Sequence, residues 1–408
     1  MMHRGMRTAL AVVTMALMAC AVQAQDAAKN FFLHDGDTVV FYGDSITEQQ
    51  MYAADIENYV TTRFPKMRVR FINSGWGGDR VSGGGGGPIE TRLRRDVLPY
   101  KPTVVTIFLG MNDGGYHPFD EPTFQTYARG LTHIVDELQK SLPHVRLTLF
   151  TPSLFDNKDG QPAGSAPYNQ ALIKYGDFVK QLGARRGIPV VDLNAPMVAA
   201  TVKGRETDPK FTLANDNVHP GPVGHLIMAS AILQVWDAPP ALGLVLTPGQ
   251  PTTLTLPAPW PVPGDAHQAL DVSPLPGPLA RVTVTSSAMT PPDARYALLA
   301  DGQVVGTFTG AQLAPGAGVD LTQYPDLPLN KQAQAVAAIN NERINRWHEY
   351  FKGGNGIARA DDKPTRDEIG ALTALDKWLD AWRVRAHDSA QPKPHTFELR
   401  SAAATTTP

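Results

Sequence analysis

Cysteine is nearly absent from this chain, with Cys20 the only one among 408 residues. No internal disulfide can form, and a mature chain lacking Cys20 would have no thiolate metal site and no thiol nucleophile. A chain this long buries enough core to stand without bridges, even in an oxidising compartment. Charge of one sign is lacking too: 37 Lys and Arg face 39 Asp and Glu, a formal net charge of −2. Such a balance gives no electrostatic basis for binding nucleic acid. The cluster Arg92, Arg94 and Arg95 is expected to be a solvated helix face. Past the N-terminus there is no long apolar run, so no transmembrane domain is expected. The Gly-x-Ser-x-Gly elbow, the Walker phosphate loop and His-Glu-x-x-His are all missing. These absences direct the search for chemistry to serine, histidine and carboxylates.

The first residues carry an export pattern. His3, Arg4 and Arg7 form a cationic segment, followed by an apolar stretch from Ala9 to about Val22. That stretch is shorter than the ~20 residues a bilayer span needs. Val22-Gln23-Ala24 supplies small residues at the usual cleavage positions. Residues 1–24 are therefore expected to be a signal peptide and the product periplasmic or extracellular. Two alternatives compete: an uncleaved N-terminal anchor, and a lipoprotein. In the second, Leu17-Met18-Ala19-Cys20 would be a lipobox with Cys20 lipidated, although Met is a poor residue at that position.

From Asp37 to about Trp236, β-prone runs alternate with amphipathic stretches. The runs are Thr38–Tyr42, Val69–Ile72, Val104–Leu109, Val145–Phe150 and Ile188–Asp192. Uninterrupted apolar strands suit a parallel sheet buried on both faces. Gln50–Arg63, Phe124–Leu142 and Tyr168–Arg186 read as helices between them. The alternation predicts an α/β fold, a three-layer α/β/α sandwich with a central parallel sheet, over residues 31–238. Its functional loops should follow the carboxyl ends of the strands. Residues 239–388 read as a C-terminal extension, β-rich and then helical. It has a hairpin turning at Asp301-Gly302 and a helix over Leu329–Phe351; a second helix starts at Thr365, where Thr365 and Glu368 make a capping box. This extension shows no clear independent core. Residues 389–408 are polar and Pro/Thr-rich and are expected to be disordered.

Four short blocks carry candidate chemistry. Gly43-Asp44-Ser45 follows the first strand, where a serine on a strand-to-helix turn presents its hydroxyl above the sheet edge. Its own backbone N–H, at a helix N-terminus, can face a developing oxyanion. Asp216-Asn217-Val218-His219 puts a carboxylate within reach of the imidazole that it would orient. Gly110-Met111-Asn112-Asp113 ends the most apolar strand, and the Asn112 amide is a neutral, directional donor. Asn73 to Arg80 contains Gly75, Gly77 and Gly78, where glycine lets a backbone N–H approach a ligand closely. Each block alone also fits ordinary structural use: a Gly-Asp-Ser turn, a loop histidine beside an N-capping aspartate, an asparagine turn, a glycine-rich loop. Gly83 to Gly87 reads as a mobile or merely flexible loop that could lie near the site. Trp76, Arg80, Tyr116 and His117 flank the blocks, and His225 reads as structural.

Taken together and in order, the blocks resemble those of the SGNH (GDSL-type) hydrolase superfamily. The resemblance covers roughly residues 37 to 236, about half the chain. It implies a flavodoxin-like fold and a serine esterase mechanism, with Ser45 as nucleophile, His219 as base and Asp216 orienting the base. It also implies an oxyanion hole from Ser45, Gly78 and Asn112, with Gly78 favoured over Gly75 by its spacing from Asn73. It requires no metal and no cofactor. The expected function is hydrolysis of carboxylic esters outside the cytoplasm, with the deacetylation of glycans as the favoured case. The partners are then a small or polymeric ester such as an acetylated polysaccharide, and no nucleic acid. Alternatives are a lipase or lysophospholipase, and a glycan-binding protein with an inactive hydrolase fold.

Overall fold

The computed structural model describes residues 30–157, 161–239, 243–262, 283–315, 317–352 and 366–402. The first segment of chain builds a parallel sheet from β1 (Thr38–Gly43), β2 (Arg70–Gly75), β3 (Val104–Phe108), β4 (Arg146–Phe150) and β5 (Val190–Val191). Their order across the sheet is β2-β1-β3-β4-β5, all parallel. Every residue of β1 and β3 is buried, as continuous apolar runs require of the central strands. The pleat sorts these residues between two cores. Val39, Phe41, Val104 and Phe108 face one layer, while Val40, Tyr42, Val105 and Ile107 face the other.

Among the described residues, seven α-helices belong to this part: α1 (Ser45–Glu48), α2 (Met51–Arg63), α3 (Ile89–Asp96), α4 (Glu121–Ser141), α5 (Pro167–Arg186), α6 (Asn194–Thr207) and α7 (Pro222–Val235). They cover both faces, giving the three-layer sandwich. Strand order reverses direction between β1 and β3, which opens a crevice at the carboxyl ends of those two strands. Among the described residues, no helix is long and apolar enough to cross a membrane.

Two expectations for this half are overturned. Arg92 and Arg95 are not on a solvated face: both are fully buried, and only Arg94 is exposed. Arg92 donates to Asp79 (2.5 Å) and Asp96, and to the carbonyls of Gly43 (3.2 Å) and Ser74 (2.6 Å). Arg95 reaches Asp96 at 2.6 Å and lies 4.8 Å over the Trp76 ring. A guanidinium is buried only where carboxylates and carbonyls satisfy it; Asp96 is a local partner on the same helix, but Asp79, Ser74 and Gly43 come from elsewhere in the sequence. The Gly83–Gly87 run is likewise no free connection. A Cβ at Gly84 would stand 2.4 Å from the Gly78 carbonyl oxygen, and one at Gly85 2.0 Å from that of Gly77. The glycines are there because two backbones pack directly together, with Gly86 N–H bound to Asp79 (2.9 Å).

The C-terminal part contains β6 (Gly243–Leu246), β7 (Thr252–Thr255), β8 (Thr283–Ser286), β9 (Arg295–Ala300), β10 (Gln303–Thr309), β11 (Val319–Asp320) and β12 (Pro394–Ala402). They form a four-stranded sheet, β10-β9-β12-β7, and a three-stranded sheet, β11-β8-β6. Contrary to the sequence reading, these strands have a core of their own, with Leu244, Leu298, Phe308, Phe397 and Leu399 buried together. The tail expected to be disordered from 389 is instead ordered through Ala402. Strand β12 lies between β7 and β9, and its inward Phe397 and Leu399 account for that placement.

Helices α8 (Pro328–Lys352), α9 (Arg366–Trp378) and α10 (Asp380–Ala390) complete the chain. They dock on the first domain, since Trp347, Phe351, Leu372 and Leu379 share a core with Tyr42 and Ile72. Polar contacts fix the docking: Arg343 to Glu57 at 2.5 Å, Asn340 to Asn58 at 2.9 Å, and Trp347 Nε1 to the Asn73 carbonyl at 2.8 Å. The expected signal peptide, Cys20 and the expected cap at Thr365 lie outside the described residues.

Candidate active site

Ser45 begins α1 directly after β1. A Cβ at Gly43 would stand 2.8 Å from the Phe108 carbonyl, so glycine lets β1 and β3 close up where the crevice opens. Asp44 caps the helix, its carboxylate accepting the Ile46 N–H at 3.0 Å. The Ser45 N–H, in the first turn, has no intrahelical acceptor and is available to a ligand.

His219 Nε2 lies 2.8 Å from Ser45 Oγ, and His219 Nδ1 lies 2.6 Å from Asp216 Oδ2. The second Asp216 oxygen accepts the backbone N–H groups of Val218 (3.0 Å) and His219 (2.8 Å). Partial burial raises the Asp216 pKa, but these hydrogen bonds outweigh it and hold the carboxyl at about 2. An anion at Nδ1 places the ring proton there, leaving Nε2 to accept from the serine hydroxyl. The loop between Asp216 and His219 is preset. Asn217 takes the left-handed conformation at φ 74°, which asparagine tolerates, and its carbonyl accepts Asp156 N–H at 3.0 Å. Ala214 and Pro220 bridge the base of the turn.

The loop after β2 contributes three glycines with different surroundings. Gly75 N–H is bound to Asn73 Oδ1 (3.0 Å), and a Cβ there would strike the α1 backbone at Glu48. Gly77 N–H is bound to the Glu48 carboxylate (2.5 Å). Gly78 is exposed, with φ 73° and open space around it, and among the described residues nothing accepts its N–H. Of the three, Gly78 alone therefore has a donor to offer, in line with the sequence preference for it over Gly75.

Asn112 follows β3 and is nearly buried. Its Nδ2 donates one proton to the Asp79 carbonyl (3.0 Å), which leaves the second for the crevice. Its Oδ1 accepts the Tyr116 hydroxyl at 2.8 Å, so the amide has one defined orientation. Tyr116 itself is held at φ 64°, half exposed, against Phe155 and Tyr168.

The burial of several groups in this neighbourhood is not apparent from motifs. Asp44 is fully buried, and desolvation pushes its pKa up to about 8, the nearby Asp113 and Asp79 adding to the rise. Burial likewise brings Asp113 to about 7, although it accepts the Val81 N–H at 2.9 Å. His225 is structural, as expected: burial lowers its pKa to about 3, Tyr52 N–H donates to Nδ1 (3.3 Å), and Nε2 donates to Gln49 (3.0 Å). Trp76 is buried under the glycine loop, whereas Arg80 and His117 are exposed. Glu48 had no sequence signal beyond its nearness to Ser45.

Residues 41–227 match the model of the GDSL-like lipase/acylhydrolase family. An acetylxylan esterase of Geobacillus stearothermophilus is 27% identical over 222 residues, covering 49% of this chain and 93% of that protein. A solved structure of the Geobacillus stearothermophilus acetylxylan esterase is 26% identical, with a TM-score of 0.41 over 50% of this chain and 95% of that one. A gut microbial diltiazem-metabolizing enzyme has the same fold over 91% of this chain and 98% of its own, with a TM-score of 0.73 and 23% identity. That likeness of fold extends through the C-terminal sheets and helices.

Proposed function

We propose that this carboxylic ester hydrolase, whose residues 41–227 match the GDSL-like lipase/acylhydrolase family, works through a Ser45–His219–Asp216 triad and an acyl-enzyme. The observation that carries the proposal is the unbroken relay from Asp216 through His219 to the Ser45 hydroxyl at 2.6 and 2.8 Å. His219 takes the serine proton as Ser45 Oγ attacks the ester carbonyl, and Asp216 steadies the imidazolium that forms. The oxyanion is held by the Ser45 and Gly78 N–H groups and the free proton of the Asn112 amide. His219 then passes its proton to the departing alcohol. Water, deprotonated by the same imidazole, releases the acid and restores Ser45.

Acetyl esters of glycans are the proposed substrates. The acetylxylan esterase that covers half of this chain supports that choice. The cationic, apolar and small-residue segments of residues 1–24 support export, where such polymers are met. The test is acid release from p-nitrophenyl acetate, acetylated xylan and a lysophospholipid by the wild type and by Ser45→Ala. Loss of at least about 10⁴-fold in kcat is expected for the variant. Unchanged activity would remove Ser45 from the mechanism, and preference for the lysophospholipid would replace the glycan reading with a lipase one.

A further inference from the structure

The unassigned C-terminal helix α8 ends beside the glycine loop. Its last residue, Lys352, places Nζ 2.6 Å from Glu48 Oε1 and 4.8 Å over the Trp76 ring. Glu48 closes α1, three residues after Ser45, and its other oxygen accepts the Gly77 N–H at 2.5 Å. A Cβ at Gly77 would stand 2.9 Å from that oxygen, 3.5 Å from Lys352 Nζ and 3.9 Å from Ser45 Cβ. One turn earlier on α8, Trp347 Nε1 donates to the Asn73 carbonyl at 2.8 Å, and Phe351 packs edge-on against Trp76 at 5.8 Å. The C-terminal helix thus holds the Asn73 end of the segment directly and the Gly77 end through Glu48.

We infer that Lys352, acting through Glu48, is a positioning residue that aims the Gly78 N–H at the oxyanion formed on Ser45. The inference rests on the mechanism proposed above. Gly78 has no side chain and, among the described residues, no hydrogen-bond acceptor to fix its amide, so its direction is set by the bonded neighbour, Gly77. The bond from Gly77 is charge-assisted, and so stronger, while Glu48 stays ionised in its half-buried place. Burial raises the Glu48 pKa, but His348, Lys352 and the Gly77 N–H bring it down to about 2. With Lys352 removed, Glu48 would lose its nearest cation, at 2.6 Å against 3.7 Å for His348, and would turn to water, and the loop would lose its hold. The extension is then part of the esterase rather than a separate binding module.

The test uses full-length Lys352→Met, Lys352→Arg and Glu48→Gln with p-nitrophenyl acetate, beside wild type and Ser45→Ala. A misaimed donor lowers kcat by about 10- to 100-fold while KM stays within about twofold. Lys352→Arg should restore most of the rate, and Glu48→Gln combined with Lys352→Met should be no worse than the poorer single variant. Phenylboronic acid, whose tetrahedral adduct engages the same donors, should bind more weakly in step with kcat. Hydrogen exchange at Gly77 should quicken in Lys352→Met while α2 is unaffected, a readout independent of turnover. Wild-type kcat in a folded Lys352→Met, or a loss that follows only melting temperature, overturns the inference. An inactive wild type, or an active Ser45→Ala, instead overturns the mechanism on which it rests, and exchange at Gly77 still reports on the hold.

Discussion

Asp44 shows how one residue serves two demands beside the proposed nucleophile. It caps α1 through the Ile46 N–H, yet its second oxygen is buried without a partner among the described residues. Desolvation makes it a neutral acid up to about pH 8 in the folded chain, whereas an unfolded aspartate ionises near pH 4. Between those values the folded state binds the extra proton, so stability falls as pH rises. Asp44→Asn keeps a capping side chain and removes that proton. The variant should gain on the wild type by at least about 1 kcal/mol between pH 5 and 8 in urea unfolding. A parallel decline in both proteins would show that Asp44 is ionised when buried. Asp113, raised to about 7, leaves a residual slope of the same sign in the variant.

Among the elements, the glycine loops behave as a single layered structure. The run 83–87 packs on the carbonyls of Gly77 and Gly78, Trp76 fills the space beneath, and Arg92 and Arg95 seal it from below. Gly85→Ala would push a methyl group into the Gly77 carbonyl, at a separation of 2.0 Å before relaxation. It should destabilise by about 1–3 kcal/mol and lower kcat, because the strain falls on the segment next to Gly78. Gly370→Ala, in open space on α9, is the control and should be neutral or stabilising by about 0.5–1 kcal/mol. Equal melting temperatures for Gly85→Ala and wild type would mean that the loop yields freely. A run of glycines in sequence gives no hint of this, because close packing and free motion both favour glycine.

At the scale of the whole molecule, the first domain and the C-terminal helices are joined by buried polar contacts as well as by a shared apolar core. Arg343 and Glu57 are both buried and pair at 2.5 Å across α8 and α2. Arg343→Met leaves Glu57 buried without its counter-charge, a loss of about 3–5 kcal/mol. Urea unfolding should show this as an earlier single transition for the whole chain. A shift confined to a separate C-terminal transition would show instead that the two parts fold independently.

Order along the chain was enough to read the sandwich, the five strands and the residues around the crevice. Local patterns carry those features: apolar runs make strands, and Asp216 with His219 lie three residues apart on one loop. Ser45 and Asn112 stand where β1 and β3 end, at the reversal of strand order. Tertiary structure alone decided the rest, because each remaining feature depends on partners far away in sequence. Arg92 is buried because Asp79 and the carbonyls of Gly43 and Ser74 await it from other elements, and Arg95 because the Gly86 carbonyl and the Trp76 ring do. Strand β12 is ordered because β7 and β9 flank it, although its own composition reads as a polar tail. Glu48 reaches Lys352 across 304 residues of chain, a contact that no local pattern encodes and that only the docking of α8 creates.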